Sequence, residues 1–228
     1  SETRTVSIPQ RKKQDLIGII SKIRETKTSS TSDMASLMGK LEAIRPAFAM
    51  TPLYYRKTQK WLITQTNTLG WNHQNNPVPE KVLRELQFWE NMIPTLKPQR
   101  IIEYRGSAIV ITTDASLTGW GATLENLPAH GRWNQQQMNL HINVLELQAI
   151  ENALKAFQEQ IMNQNVLIKG DNVTSLAYIS KKGGTKSQAL MDITVRIWNL
   201  AQRLNINLET EYLKGVENTK ADTLSRLG

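Results

Sequence analysis

The stretch Ala108-Ile109-Val110-Ile111-Thr112 is a continuous apolar, β-branched run that leads into Thr113-Asp114, and it divides the chain into two patterns. A run without polar alternation belongs in a strand covered on both faces, as in the parallel and mixed sheets of α/β proteins. Beyond it, Gly119–Leu124 and Gly131-Arg132-Trp133 read as two further strands, short and turn-separated as in an antiparallel meander. A helix is expected from Asn143 to Ile161, with Leu147, Ile150, Leu154, Phe157 and Ile161 at core spacing. Val166-Leu167-Ile168 is a fourth strand ending at Gly170-Asp171, and Ile206–Leu213 is a fifth. Helices are expected over Asn172–Ser180, Gln188–Leu204 and Asn218–Leu227. This order implies an α/β fold: a mixed five-stranded sheet flanked by helices on both faces, with the first, fourth and fifth strands parallel.

Before the β-branched run the period is helical. Leu16, Ile20 and Ile23 define a helix within Pro9–Lys27, followed by the polar break Thr28-Ser29-Ser30-Thr31-Ser32. A second helix is expected to be capped by Ser32 or Asp33, to bury Met34, Leu37, Met38, Leu41 and Ile44, and to end at Pro46. A Gly/Asn/Pro-rich segment from Leu69 to Pro79 precedes a third helix, Glu80–Ile93, with Val82, Leu86, Trp89 and Ile93 on one face and Pro94 and Pro98 closing it. The boundary is placed between Pro98 and Arg105, giving a mainly helical segment over 1–104 and a second domain over 105–228.

Charge separates the same two parts. Up to Arg105 there are 17 Lys and Arg against 9 Asp and Glu, and from Gly106 onward there are 11 of each, so the whole excess of +8 lies in the first part. A basic surface of that kind suits a polyanion such as nucleic acid, and equally a merely solvated face. Cysteine is absent, which excludes a disulfide framework and thiolate metal sites; with only three histidines, carboxylates are the first candidates for holding a metal. No apolar run approaches the roughly 20 residues of a membrane span, and the opening Ser1-Glu2-Thr3-Arg4 is no secretory signal. A soluble, intracellular protein of cytoplasm or nucleus is expected. The start without Met suits a piece of something longer.

The acids of the second part fall where a site would need them. Asp114 and Asp171 are expected just past the ends of two parallel strands, the place where α/β sheets gather ligands. Glu146 lies in the first turns of the long helix, and Asp222 follows Lys220-Ala221 in the last one. Taken singly, each has a structural explanation as a turn former, a cap or a helix N-terminal charge. Four acids converging on one crevice form a hard-cation site, because like charges forced together call for a cation. A pair of Mg²⁺ ions, with Mn²⁺ able to substitute, supports in-line attack of water on a phosphodiester without a protein nucleophile.

Several motifs carry a resemblance. Thr113-Asp114-Ala115-Ser116 with Gly119-Trp120-Gly121-Ala122, Leu140–Leu147, Lys169-Gly170-Asp171-Asn172, Gly215-Val216-Glu217-Asn218 and Ala221-Asp222-Thr223-Leu224-Ser225-Arg226 resemble the RNase H domain of a retrotransposon reverse transcriptase, most of all the DIRS type with a tyrosine recombinase. The resemblance extends to Ala35–Leu41 and Pro52-Leu53-Tyr54-Tyr55, which are similar to the thumb and connection segment of those proteins. It implies an RNase H-like fold, metal-dependent cleavage of the RNA strand of RNA–DNA hybrids, Asp114, Glu146, Asp171 and Asp222 as metal-binding catalytic acids, and the polymerase part of the same polyprotein as partner, with no membrane. Polymerase fingers, palm and their catalytic aspartates are missing, so DNA synthesis is not expected of this piece. One position departs: the family usually has a histidine three residues before the glycine matching Gly215, on a mobile loop near the metals, and here it is Tyr212.

Other residues are candidates for holding nucleic acid. Lys181, Lys182 and Lys186 surround Gly183-Gly184 in a loop suited to phosphates or to solvent, and Asn143, with Asn172 near it, suits reading of 2′-hydroxyls or helix capping. His141 is read as a packing or hydrogen-bonding residue, and Trp120 and Trp133 as core. Tyr54, Tyr55, Arg56 and Lys57 suit either a nucleic-acid track or packing of the helical part. The main alternative function is a catalytically weak or inactive module kept for nucleic-acid binding or subunit contact, which Tyr212 favours and the four acids oppose. A transposase or integrase core usually lacks the early helix glutamate, so Glu146 argues against that class.

Overall fold

The computed structural model of the chain describes residues 5–100 and 107–227. The chain forms two compact units, Ser1–Ile102 and Glu103–Gly228; most of the stretch expected to hold the boundary, and Ser1 to Arg4, lie outside the described residues.

The first unit runs β1 (Thr5–Val6), α1 (Gln10–Thr26), β2 (Thr28–Ser29), α2 (Thr31–Ala43), a 3₁₀ turn (Thr51–Tyr54), α3 (Arg56–Leu69), β3 (Asn76–Pro77), α4 (Glu80–Thr95) and β4 (Gln99–Arg100). The apolar stripes read from the sequence meet in one core: Leu16, Ile20 and Ile23 of α1, Met34, Leu37 and Leu41 of α2, and Val82, Leu86, Trp89 and Ile93 of α4. Three details differ from expectation. The cap of α2 is Ser30, whose side chain accepts from the Asp33 N–H, because Thr28-Ser29 is not a free loop but pairs with Asn76-Pro77. Pro94 lies inside the last turn of α4 rather than beyond it.

The third difference is α3, a whole helix without a sequence signature. Its apolar side is narrow, resting on Trp61 and on Thr58. Its first turn is capped from another helix: Glu85 of α4 accepts from the N–H groups of Lys57 (3.1 Å) and Thr58 (2.7 Å) and from the Thr58 hydroxyl. The aromatic stretch before it is packing. Tyr54 stacks on Phe88 at 4.3 Å between ring centroids, and Tyr55 is buried with its hydroxyl donating to Glu42.

The second unit runs β5 (Ile109–Ala115), β6 (Gly119–Leu124), β7 (Leu127–Arg132), α5 (Gln135–Met138), α6 (Ile142–Ala156), α7 (Gln158–Ile161), β8 (Asn165–Gly170), α8 (Val173–Ser180), α9 (Gln188–Arg203), β9 (Asn207–Tyr212), a 3₁₀ turn (Gly215–Glu217) and α10 (Thr219–Arg226). The strands order as β7-β6-β5-β8-β9, with β5, β8 and β9 parallel and β6 and β7 antiparallel. The helix expected as one piece over Asn143–Ile161 breaks at Phe157, which is buried, and one more short turn follows. It begins at Ile142, with His141 as its cap accepting from the Asn143 N–H at 3.1 Å.

Alternation along the strands assigns the two faces. Ala115 packs with Trp133, Leu145 and Ala149, so this face of β5 carries α6. Asp114 and its cross-strand partner Gly121 point the other way and meet α10, where a Cβ on Gly121 would lie 2.3 Å from the Ala221 carbonyl oxygen. Glu151, a buried acid on α6, is satisfied by the Arg196 guanidinium of α9 and by Lys155.

Candidate metal centre

The register of two parallel strands brings the first two acids together. Thr112 of β5 lies opposite Lys169 of β8, so two residues further on Asp114 comes level with Asp171. Asp114 is inside β5 rather than past its end, because antiparallel pairing with Gly121 continues the strand to Ala115. Asp171 follows Gly170, the last residue of β8. From the other face, α6 brings Glu146 over the strand end, held there by the buried Leu145 and Leu147 beside it and by the Ala115 N–H donating to its carboxylate.

Asp114, Glu146 and Asp171 each offer a carboxylate oxygen within 4.8 Å of the others. The first two are buried and Asp171 is half-buried. Burial pushes the Asp114 carboxyl up to about 6, and the charges of Asp171 and Asp222 push the same way, against the Ser225 hydroxyl donating to it. Burial pushes Glu146 up to about 9, with Asp114 and Asp171 adding to it. A donor set of carboxylates that resist sharing their negative charge fits a hard divalent cation.

Asp222 stands apart from these three. It projects from the first turn of α10, close enough for its charge to raise Asp114, but its Oδ1 accepts from Arg226 Nε (2.9 Å) and Nη2 (2.6 Å). The structure thus joins three of the four acids and pairs the fourth with a cation of its own helix.

The expected nucleic-acid residues divide. Asn172 caps α8 through its Oδ1, and its Nδ2 donates to Asn143 Oδ1 at 2.9 Å, so the two amides form one pair beside Asp171. Asn143 is not a cap, since His141 takes that place. Lys182 lies in a left-handed turn with its ammonium 4.1 Å above the Trp198 ring, while Lys181 and Lys186 are exposed. Tyr212 is the last residue of β9, paired with Gly170 rather than on a loop, and 53% exposed. The turn after it passes close to the acids: a Cβ on Gly215 would lie 3.0 Å from Asp171 Oδ2.

Two buried polar residues beside the acids were not singled out in the sequence. Asn218 donates from Nδ2 to the Thr113 carbonyl, and its Oδ1 is buried without a partner. Ser225 donates to Asp114 Oδ2 at 2.8 Å. A small polar residue spaced with Ala221 on the packed side of a short helix is the signal that marks Ser225.

The second unit has the mixed five-stranded sheet flanked by helices that the sequence led us to expect, with β5, β8 and β9 parallel. No family model matches the chain. The enzymatic polyprotein of Carnation etched ring virus is 26% identical over 180 residues, 74% of this chain and 25% of that protein. The chain spans about a quarter of the length of the curated relatives it matches. Among solved structures, RNase H1 from the halophilic archaeon Halobacterium salinarum NRC-1 is similar at 17% identity, covering 52% of this chain and 94% of its own, with a TM-score of 0.43. The foamy viral protease-reverse transcriptase in complex with dsDNA is similar over 92% of this chain and 42% of its own, at 13% identity and a TM-score of 0.36. The chain is thus similar to viral polyproteins over about three quarters of its length. Among the described residues no helix is long and apolar enough to cross a membrane.

Proposed function

We propose that this chain is a metal-dependent ribonuclease H that hydrolyses the RNA strand of RNA–DNA hybrids, as part of an intracellular retroelement reverse transcriptase whose polymerase lies elsewhere in the same polyprotein. The observation that carries the reading is the convergence of Asp114, Glu146 and Asp171 at the carboxyl ends of two parallel strands. The motifs resemble the DIRS type, and the first unit, 1–104 by the sequence, is read as its thumb and connection segment with 105–228 as the RNase H domain.

Asp114, Glu146 and Asp171 are the residues to hold the cations, Mg²⁺ or Mn²⁺, with Asp222 as the fourth acid once it exchanges Arg226 for the site. When bound, a pair of such ions supplies Lewis acidity to the attacking water and the leaving oxygen of a phosphodiester. The protein's part is to hold the carboxyl groups of Asp114, Glu146 and Asp171 in a fixed array where two strand ends meet α6, so that their positioning precedes the arrival of substrate. Asn143 and Asn172, whose amides pair beside Asp171, are proposed to meet 2′-hydroxyls, and the exposed Lys181 and Lys186 to meet phosphates.

The test is cleavage of a hybrid labelled on either strand, in Mg²⁺, in Mn²⁺ and in EDTA. RNA-strand products with either metal and none in EDTA are expected; metal-independent products, or none under any condition, would overturn the reading. The second reading, a weak or inactive nucleic-acid-binding module, is favoured by Tyr212 at the strand end and by the +8 excess before Gly106. Tight, salt-dependent hybrid binding without cleavage is its signature.

A further inference from the structure

We infer that Ser225 is a positioning residue of the acid cluster, whose buried hydroxyl fixes Asp114 and makes metal loading depend on the docking of α10. The inference rests on the reading of Asp114 as a metal ligand. Ser225 is fully buried, and its Oγ lies 2.8 Å from both Asp114 Oδ2 and the Asp222 carbonyl oxygen. A hydroxyl carries one proton, and an ionised carboxylate is the stronger of two competing acceptors. Ser225 therefore ties the carboxylate of one acid to the backbone turn that carries another.

The rest of the helix is built to hold that hydroxyl in place. Gly119 and Gly121 leave the β6 backbone bare under α10: a Cβ on Gly119 would lie 3.0 Å from the Ser225 carbonyl oxygen, and one on Gly121 would lie 2.6 Å from the Ser225 amide nitrogen. The Ser116 hydroxyl donates to that same carbonyl at 2.7 Å, and at the start of the helix Asn218 is bound to the Thr113 carbonyl at 2.9 Å. Residues on either side of Asp114 are thus fastened to α10, and Ser225 fastens Asp114 itself. Without the hydroxyl, Asp114 keeps its backbone position but loses the donor that sets its side-chain rotamer, and a misplaced ligand weakens a cation site.

The test titrates Mn²⁺ by calorimetry into the full chain without substrate, alongside the Mg²⁺ dependence of hybrid cleavage, for the parent, Ser225→Ala and Ser225→Thr. Ser225→Ala is expected to weaken Mn²⁺ binding about tenfold, the low end of effects of groups that orient ligands. The Mg²⁺ midpoint should shift in parallel, and Ser225→Thr, which keeps the hydroxyl, should stay within about threefold of the parent. If Ser225→Ala does not fold, Ser225→Cys, with a weak S–H donor, replaces it with the same expected direction. Unchanged metal affinity in Ser225→Ala or its Cys replacement, or a Thr variant as impaired as Ala, overturns the inference. A parent that binds Mn²⁺ but cleaves nothing defeats the proposed activity while the calorimetric comparison still decides the role of Ser225; a parent that binds no metal overturns both.

Discussion

Arg226 holds Asp222 through two hydrogen bonds to one carboxylate oxygen, four residues apart on α10, and so keeps the fourth acid on the edge of a site that three others already form. The pair lies on the surface, where solvent screens its charges and leaves it little weight in stability. On the proposed reading the pair competes with the cations for Asp222. Arg226→Ala should tighten Mn²⁺ binding by a modest factor, roughly two- to fivefold, because Asp222 is released and a positive charge is removed from beside the acids. Calorimetry on the folded variant checks it; weaker metal binding would mean that Arg226 organises Asp222 instead of restraining it.

The second prediction concerns the acids themselves. Asp114→Asn and Asp171→Asn each remove a carboxylate from the array, and each also relieves like-charge repulsion felt by Glu146. Hybrid cleavage in Mg²⁺ or Mn²⁺ should be lost, while thermal stability in EDTA stays the same or rises. Parent-level cleavage by either variant would show that the assignment of the site is wrong.

A third prediction follows from the raised carboxyls. Asp114 at about 6 and Glu146 at about 9 both lie above their ordinary values, so between its ordinary and its raised value each group holds more proton in the folded protein than in the unfolded chain. Stability in EDTA should therefore fall as pH rises, from about pH 4 through 6 for Asp114 and on toward 9 for Glu146. Glu146→Gln should flatten the upper part of that decline, and saturating Mg²⁺ should oppose it, since binding to ionised acids strengthens as protons leave. Thermal melts at pH 5, 7 and 9, with and without metal, measure it; a metal-free melting temperature that climbs from pH 5 to 9 would contradict the burial of these two groups.

What the sequence made legible follows from how local each signal is. The acids and strands of the second unit stood out because β-branched runs, turn residues and the spacing of Leu147, Ile150 and Leu154 are written within a few residues of one another. Helix α3 was hidden because its cap, Glu85, lies on another helix and its buried side is little more than Trp61 and Thr58. The expected cap of α2, Ser32 or Asp33, fell two or three residues late because the pairing of Thr28-Ser29 with Asn76-Pro77 is a long-range contact. Within the site, sequence placed Asp222 with the other acids, but only in the folded chain is its carboxylate seen turned to Arg226 and the Ser225 hydroxyl reaching Asp114. Side-chain direction across two packed elements is not encoded in spacing alone.

The last prediction addresses Tyr212. It ends β9 opposite Gly170, one residue before Asp171, and the turn that follows brings Gly215 against the Asp171 carboxylate, so a group at this position borders the acids. An imidazole ordinarily titrates near 6.5, so a histidine introduced here can take up and return a proton at neutral pH. If the acids and their cations alone position and activate the water, the chemical step survives with tyrosine, and the step that suffers is proton return or product departure. Tyr212→His should then raise multiple-turnover cleavage by about tenfold, at the lower edge of what one acid–base group contributes, and change single-turnover rates less. The gain should fade below pH 6, where an imidazole is already protonated. Both regimes are measured on one hybrid across pH 5.5 to 8; a variant no faster than its parent in either would mean that the end of β9 takes no part in the reaction.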